Sequence, residues 1–274
     1  MFKLGLIGYP LGHSLSPHMH NAALKELGLE GNYILLETPP EKLEEKVNSL
    51  KEEGFNGFNV TIPHKVAVMP YLDSIDAFAR TVGAANTVAV AENKQLHGYN
   101  TDVYGFMTAI PEDLRKKLNG KKAAVIGSGG AARAILAGLK ALGISNINVF
   151  AVDKDEALRL KESFDFDYSP LDSSQDLSGF SVVVNTTPVG MYGKLEGISP
   201  ISKEAVASLP DDALVYDIVY KPAKTKLIEL AEKRGLKTLG GLEMLLLQGA
   251  RAFEIWTGET APLDVMRKAL IEAL

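Results

Sequence analysis

Near the middle of the chain an apolar run, Lys121 to Ile126, ends in Gly127-Ser128-Gly129-Gly130-Ala131-Ala132 and passes directly into an alanine-rich segment with helical spacing. Few architectures accept that succession. A continuously apolar run of strand length has both faces buried, which places it in a parallel sheet covered by helices on either side. Three more such runs follow, Asn146 to Val152, Ser181 to Asn185 and Ala213 to Ile218. The turn has glycines at its first and third positions and Ala132 at its sixth. In this G-x-G-x-x-A spacing, small residues let backbone N–H groups and a helix N-terminus approach a pyrophosphate. A tight strand-to-helix turn with nothing bound is the plain alternative. The fingerprint also expects a carboxylate at the end of the next strand, where Asp153 stands. That carboxylate would bond a ribose 2′-hydroxyl and repel a 2′-phosphate. It would equally cap the helix that follows, and the two roles are compatible.

Strands and helical patterns alternate along the remainder as well, so the chain reads as α/β. A strand from Lys3 to Ile7 leads through a turn at Gly8 to Pro17 into a helix ending near Leu27, with Ser16 as the expected N-cap and Pro17 as the first helical residue. Then come a strand at Tyr33 to Leu36, a charged helix at Pro40 to Glu53 and a strand from Gly57 to Ile62. Asn86 to Ala91 and Gln95 to Tyr99 read as a hairpin, and one helix is expected from Asn100-Thr101-Asp102 to Leu118. Leu242 to Trp256 carries a broad apolar stripe at helical spacing that needs a partner surface, and a last helix covers Leu263 to Leu274.

The 274 residues suffice for two domains, 46% of them are hydrophobic, and 34 acidic against 29 basic side chains give a net charge of −5. Without a basic face a nucleic-acid partner is not expected. With no cysteine, disulfide scaffolds, Cys-ligated zinc, iron–sulfur clusters and cysteine nucleophiles are excluded. The N-terminal apolar run is interrupted by Gly8 and Pro10, too early for a signal peptide or a membrane span, so a cytoplasmic protein is the default. Of the five histidines, His13, His18, His20, His64 and His97, only His18 and His20 are close in sequence. Two apart on a helix, they point in different directions, and no metal site is expected.

Four polar clusters sit at strand ends, where open α/β sheets present their binding groups: Ser14-Leu15-Ser16-Pro17, Asn59-Val60-Thr61-Ile62-Pro63-His64-Lys65, Gly83-Ala84-Ala85-Asn86-Thr87 and Asn100-Thr101-Asp102. Their hydroxyls, amides, amine and carboxylate form an inventory suited to a polyhydroxylated ligand. A lysine beside an aspartate can also exchange a proton with an alcohol as a hydride leaves. Taken singly each has a duller reading, with Ser16 and Asp102 as helix caps, Asn86 as a turn residue and Lys65 as a solvated lysine.

Taken together and in order, these clusters resemble the shikimate dehydrogenase family. The resemblance runs from Ser14 to Gln248. It includes the four clusters, the glycine turn, Asn185-Thr186-Thr187-Pro188, Asp217-Ile218-Val219-Tyr220 with Pro222 and Thr225, and Gly241-Leu242-Glu243-Met244 with Gln248. It implies two α/β domains facing across a cleft: a discontinuous substrate-binding catalytic domain at 1–103 and 240–274, and a Rossmann-type dinucleotide-binding domain at 104–239. The implied reaction is reduction of 3-dehydroshikimate to shikimate by a nicotinamide cofactor, in aromatic amino-acid biosynthesis. Lys65 and Asp102 resemble the catalytic pair. Ser14, Ser16, Asn59, Thr61, Asn86, Tyr220 and Gln248 resemble the groups around the substrate's carboxylate and hydroxyls. Gly127, Ser128, Gly129, Gly130 and Ala131, with Ile218 and Gly241, resemble the cofactor contacts.

One departure bears on the cofactor. Family members that use NADP usually carry Asn-Arg-Thr and a further arginine after the second strand of the cofactor domain. This chain has Ala151-Val152-Asp153 and Glu156, with Lys154 the only base nearby. At this site it is similar to the NAD-using quinate/shikimate dehydrogenases. Ser16, however, is the residue found in shikimate-specific members, where those favouring quinate can carry threonine. The expected cofactor is therefore NADP or NAD, with Asp153 favouring NAD or dual use. The expected partner is a small molecule, with a second copy of the chain allowed. Two rival readings stay open: an NAD-dependent quinate/shikimate dehydrogenase, and a non-catalytic ligand or redox sensor on the same fold, which the presence of both Lys65 and Asp102 disfavours.

Overall fold

The computed structural model describes residues 1–12, 14–172 and 175–274, so His13 lies outside the described residues. The chain divides into two units, residues 1–105 with 246–274, and residues 106–245.

The first unit begins with β1 (Phe2–Gly8), α1 (Ser16–Glu26) and β2 (Gly31–Glu37). A 3-10 turn at Pro40–Lys42 runs into α2 (Leu43–Glu52), followed by β3 (Gly57–Val60), β4 (Ser74–Ile75), α3 (Ala77–Val82), β5 (Thr87–Val90), β6 (Leu96–Tyr99) and α4 (Thr101–Ala109). Its sheet has the order β2-β1-β3-β5-β6-β4. β1 is parallel to both neighbours, whereas β5 runs antiparallel to both β3 and β6, so this sheet is mixed. Ile7, Phe58, Val60, Val88 and Leu96 pack against Leu43, Val47 and Leu50 of α2 in one core cluster. Each such side chain contributes roughly 1.5–3 kcal/mol on full burial.

Two sequence expectations need correction here. The helix expected from 100 to 118 is two helices, α4 and α5 (Glu112–Leu118), with Pro111 at the N-cap of the second. Pro111 has no N–H to continue the ladder and disfavours helical backbone at Ile110. Ser16 is not the N-cap of α1. That position is Leu15, no side chain caps it, and α1 starts at Ser16, whose own side chain is buried.

The second unit continues with β7 (Lys122–Ile126), α6 (Gly130–Ala141), β8 (Asn146–Ala151), α7 (Lys154–Lys161), β9 (Asp167–Pro170), β10 (Val182–Asn185), α8 (Lys203–Ser208), β11 (Leu214–Asp217), α9 (Lys226–Lys233) and β12 (Lys237–Leu239). Every pairing in its sheet is parallel, in the order β12-β11-β10-β7-β8-β9. That is the doubly wound Rossmann order, and the strand order reverses between β7 and β10, the switch point at which such sheets bind ligands. Ala124, Ile126, Val183 and Val215 lie at the centre of the apolar core, where Leu227 and Ala231 of α9 cover them.

The chain closes with α10 (Gly241–Thr257) and α11 (Leu263–Ala273). From Leu246 onward it belongs to the first unit. There Trp256 donates its indole N–H to the Val88 carbonyl at 2.9 Å, directly over Gly57, where any side chain would collide with the indole ring. Gly249 lets Met19 of α1 approach α10 in the same way. These contacts are the partner surface that the apolar stripe at 242–256 required.

Candidate active site

In the first unit the polar clusters converge. Asn86, at the start of β5, is 3% exposed and central. Its Oδ1 accepts the Thr101 backbone N–H at 2.7 Å, which fixes the amide orientation and turns Nδ2 toward Asp102 Oδ1 at 2.9 Å. The same nitrogen lies 3.0 Å from Thr101 Oγ1 and 3.4 Å from Gln248 Oε1. Asp102 stands in the first turn of α4, where the helix dipole favours a carboxylate. The N-cap is Asn100, whose Oδ1 accepts from Val103 N at 3.3 Å, so the reading of Asp102 as a cap is corrected. The other Asp102 oxygen takes the Lys65 ammonium at 2.6 Å, with the side chains 29% and 16% exposed. Lys65 is thus paired rather than freely solvated.

The segment carrying Lys65 is held from several sides. Thr61 N donates to Ile7 O at 2.9 Å, the Thr61 carbonyl accepts from His64 N at 2.8 Å, and Ala85 N donates to the Lys65 carbonyl at 2.8 Å. The buried His64 ring lies 2.6 Å from the Thr38 carbonyl. Gly8 leaves room for the Thr61 methyl, since a side chain there would strike it. On the other side of Asn86, the Asn59 Nδ2 donates to the Asn86 carbonyl at 3.1 Å and to Thr87 Oγ1 at 2.9 Å. Asn59 Oδ1 accepts from the Tyr33 hydroxyl at 2.8 Å. Burial pushes the phenol far above the usual tyrosine range, so it remains protonated. Ser14 Oγ accepts the Ser16 backbone N–H at 3.3 Å. One network therefore links Tyr33, Asn59, Asn86, Asp102, Lys65 and Gln248.

The second unit holds the glycine turn. Gly127 sits at φ +102°, and a side chain there would press on Thr186 and Thr187. At Gly129 and Gly130 an added Cβ would meet open space, and no side chain caps α6. Those first amides are left to a ligand, so the turn fits a pyrophosphate. Asp153 caps α7 by accepting from Glu156 N at 2.9 Å, and Glu156 Oε2 accepts the Ser128 hydroxyl at 2.6 Å. Gly241 is required because a Cβ would collide with the Ile218 carbonyl. Asp217 is fully buried and accepts from Asn185 Nδ2 at 2.9 Å, Val219 N at 3.1 Å and Thr225 Oγ1 at 2.6 Å. Desolvation raises its carboxyl above the usual range despite those donors. Tyr220, half-buried, belongs to this unit and so stands outside the Asn86 network.

Thr87 and Thr101, named in the sequence only as members of their polar clusters, join the first network, whereas sequence reasoning missed Tyr33 there and the Ser128–Glu156 bond in the second unit. Tyr33 carries a local signal, an aromatic residue with a hydroxyl beside the aliphatic run Ile34 to Leu36. Among the described residues no three His, Asp or Glu side chains gather to hold a metal, and no helix is long and apolar enough to cross a membrane.

Comparison with known proteins supplies the family. Residues 6–88 match the shikimate dehydrogenase substrate binding domain, and residues 241–271 match the shikimate 5′-dehydrogenase C-terminal domain. The shikimate dehydrogenase (NADP(+)) of Bacillus licheniformis is 42% identical over 273 residues, 98% of this chain and 96% of that protein. The chain belongs to the shikimate dehydrogenase family. Like other shikimate dehydrogenases it is an oxidoreductase, with a substrate-binding domain and a Rossmann domain. The Thermus thermophilus shikimate 5-dehydrogenase, solved with NADP(H) and shikimate, is 36% identical with a TM-score of 0.88 and full coverage of both chains (100% each). The Listeria monocytogenes enzyme, solved with shikimate and NAD, is 34% identical with a TM-score of 0.89, covering 98% of this chain and 96% of its own. The quinate dehydrogenase of Corynebacterium glutamicum, solved with NAD, is 30% identical with a TM-score of 0.91, covering 99% of each chain.

Proposed function

We propose that this shikimate dehydrogenase interconverts 3-dehydroshikimate and shikimate, with Lys65 and Asp102 handling the proton and with NAD used at least as well as NADP. The observation that carries the catalytic assignment is the 2.6 Å Lys65–Asp102 pair, itself held by Asn86 at 2.9 Å. A bound nicotinamide dinucleotide supplies or removes the hydride. Lys65 Nζ gives a proton to the carbonyl oxygen of the ketone as negative charge develops there, and Asp102 orients the ammonium and stabilises its charge. In the oxidative direction the amine accepts the alcohol proton. Ser14 and Ser16 supply hydroxyl donors suited to a carboxylate, and Asn59, Thr61, Asn86 and Gln248 supply groups suited to ring hydroxyls. Tyr220 is the one proposed substrate contact that belongs to the second unit.

Gly127 to Ala131, Ile218 and Gly241 are proposed to line the dinucleotide site. The chain has no arginine between Val152 and Glu156, directly after β8, and carries Asp153 there instead, with Glu156 one turn further on. A 2′-phosphate would meet two carboxylates, while a 2′-hydroxyl finds an acceptor. That NAD accompanies shikimate in the L. monocytogenes relative supports this choice. Ser16 favours shikimate over quinate. Following absorbance at 340 nm with shikimate or quinate and each cofactor tests every part. A kcat/KM for shikimate above that for quinate, and for NAD at or above that for NADP, is expected. Strong NADP preference overturns the cofactor assignment, and no turnover of shikimate overturns the substrate.

A further inference from the structure

Tyr33 is 1% exposed, and its place is set by its own backbone as well as its ring. Asn21 brackets its peptide group, donating Nδ2 to Tyr33 O at 2.9 Å and accepting Tyr33 N–H at 2.7 Å. The His20 ring stacks on the phenol at 4.4 Å between centroids and 10° between planes, and Trp256 packs beside both rings, 6.1 Å from the phenol and 5.4 Å from His20. The hydroxyl therefore arrives at Asn59 from a fixed direction.

At Asn59 both amide hydrogens are already spent, on the Asn86 carbonyl and on Thr87 Oγ1. Turning the amide over would set its oxygen against the Asn86 carbonyl, two acceptors facing each other, so one orientation survives. With Tyr33 donating to one lone pair of Oδ1, Asn59 has a single remaining capacity, the second lone pair of the same oxygen. Asn59 can accept from a ligand hydroxyl but cannot donate to a ligand. The phenol gives its proton to Asn59.

We propose that Tyr33 is a positioning residue for substrate: its hydroxyl sets Asn59 as an acceptor for a substrate hydroxyl. The proposal rests on the reading of Asn59 as a substrate-binding group.

Tyr33→Phe removes the hydroxyl and keeps the ring on His20. Its KM for shikimate should rise roughly five- to tenfold, as for loss of one oriented hydrogen bond, with kcat within about threefold and the dinucleotide KM unchanged. A double-mutant cycle supplies what a merely structural role would not show. In an Asn59→Ala background, Tyr33→Phe should change the shikimate KM less than about twofold, because the group it positions is gone. An unchanged KM in Tyr33→Phe, or an equal effect with and without Asn59, overturns the proposal, whatever happens to Tm. Wild-type enzyme that does not turn over shikimate refutes the substrate reading itself, and the proposal with it.

Discussion

Replacing Lys65 by arginine separates the two things the Lys65–Asp102 pair can do. Arginine keeps a cation opposite Asp102 but does not release its proton at any pH the enzyme experiences, whereas methionine removes both charge and proton. In the methionine variant Asp102 loses its partner at 2.6 Å but retains Asn86 Nδ2 at 2.9 Å and some access to solvent, being 16% exposed. The pair lies between the surface regime, worth up to ~1 kcal/mol, and a fully buried one, where breaking costs ~3–5 kcal/mol, so a loss of about 1–2 kcal/mol is expected. For a protein of this size that lowers Tm by about 2–8 °C and leaves the enzyme folded at 25 °C. Loss of positioned proton transfer costs about 10²- to 10⁴-fold in kcat, or ~2.7–5.5 kcal/mol of barrier. The kinetic effect therefore outweighs the structural one. Steady-state assays at 340 nm with thermal melts should find both variants slowed at least 100-fold in kcat, shikimate KM within about threefold, and Tm near wild type for Lys65→Arg but lowered for Lys65→Met. An arginine variant keeping a third or more of wild-type kcat would mean that the pair acts through charge alone, and the proton-transfer role would have to be abandoned.

Further outcomes follow from the same geometry. Asp153→Ser keeps a side chain able to cap α7, so combined with Glu156→Arg it should leave Tm nearly unchanged while raising the NADP:NAD ratio of kcat/KM by about tenfold or more; a constant ratio would place cofactor choice elsewhere. Gly241→Ala should destabilise by about 2–4 kcal/mol, because its Cβ would strike backbone at Ile218. Gly129→Ala, with open space before it, should change stability by less than about 0.5 kcal/mol yet raise the dinucleotide KM, and equal Tm losses in the two variants would contradict the distinction. His20 is fully buried, neither ring nitrogen has a partner, and burial pushes its pKa down to about 3. Unfolded histidine titrates near 6.5, so between 6.5 and 3 the unfolded state binds the extra proton and stability is lost as pH falls. From pH 7.5 to 5 that amounts to about 2 kcal/mol in denaturant melts, and His20→Phe should flatten the slope; an unaltered slope would assign it to other groups.

The second unit was the more legible half of the fold. Its strands are apolar without interruption because both faces are covered, and its turn carries glycines where φ +102° and an open cradle require them. What escaped there were the short edge strands β9 and β12, partly exposed and therefore not apolar throughout. The break at Pro111 was available from the residue itself but was overridden by the apolar periodicity around it. The polar clusters announced their membership in a site by composition and order. Ser16 was misassigned because a serine before a proline at a helix start has a local explanation, whereas α1 already includes Ser16 and the packed unit buries it.

Local chemistry by itself determined the α/β class, the strand-to-helix phosphate turn, the lysine and the carboxylate, and the absence of an arginine clamp beside Asp153. These depend on residue type and on spacing within a few positions, and such information survives in a linear chain. Tertiary structure decided which of those groups meet. Asn86 reaches Gln248 across 162 positions and Trp256 reaches Val88 across 168, while Tyr33 of β2 and Asn59 of β3 pair across the intervening β1 of a mixed sheet. Hydrogen-bond direction in that network is likewise a property of the folded state: Asn59 becomes acceptor-only because partners from two separate segments, Tyr33 and the Asn86-Thr87 pair, arrive together and exhaust its other valences.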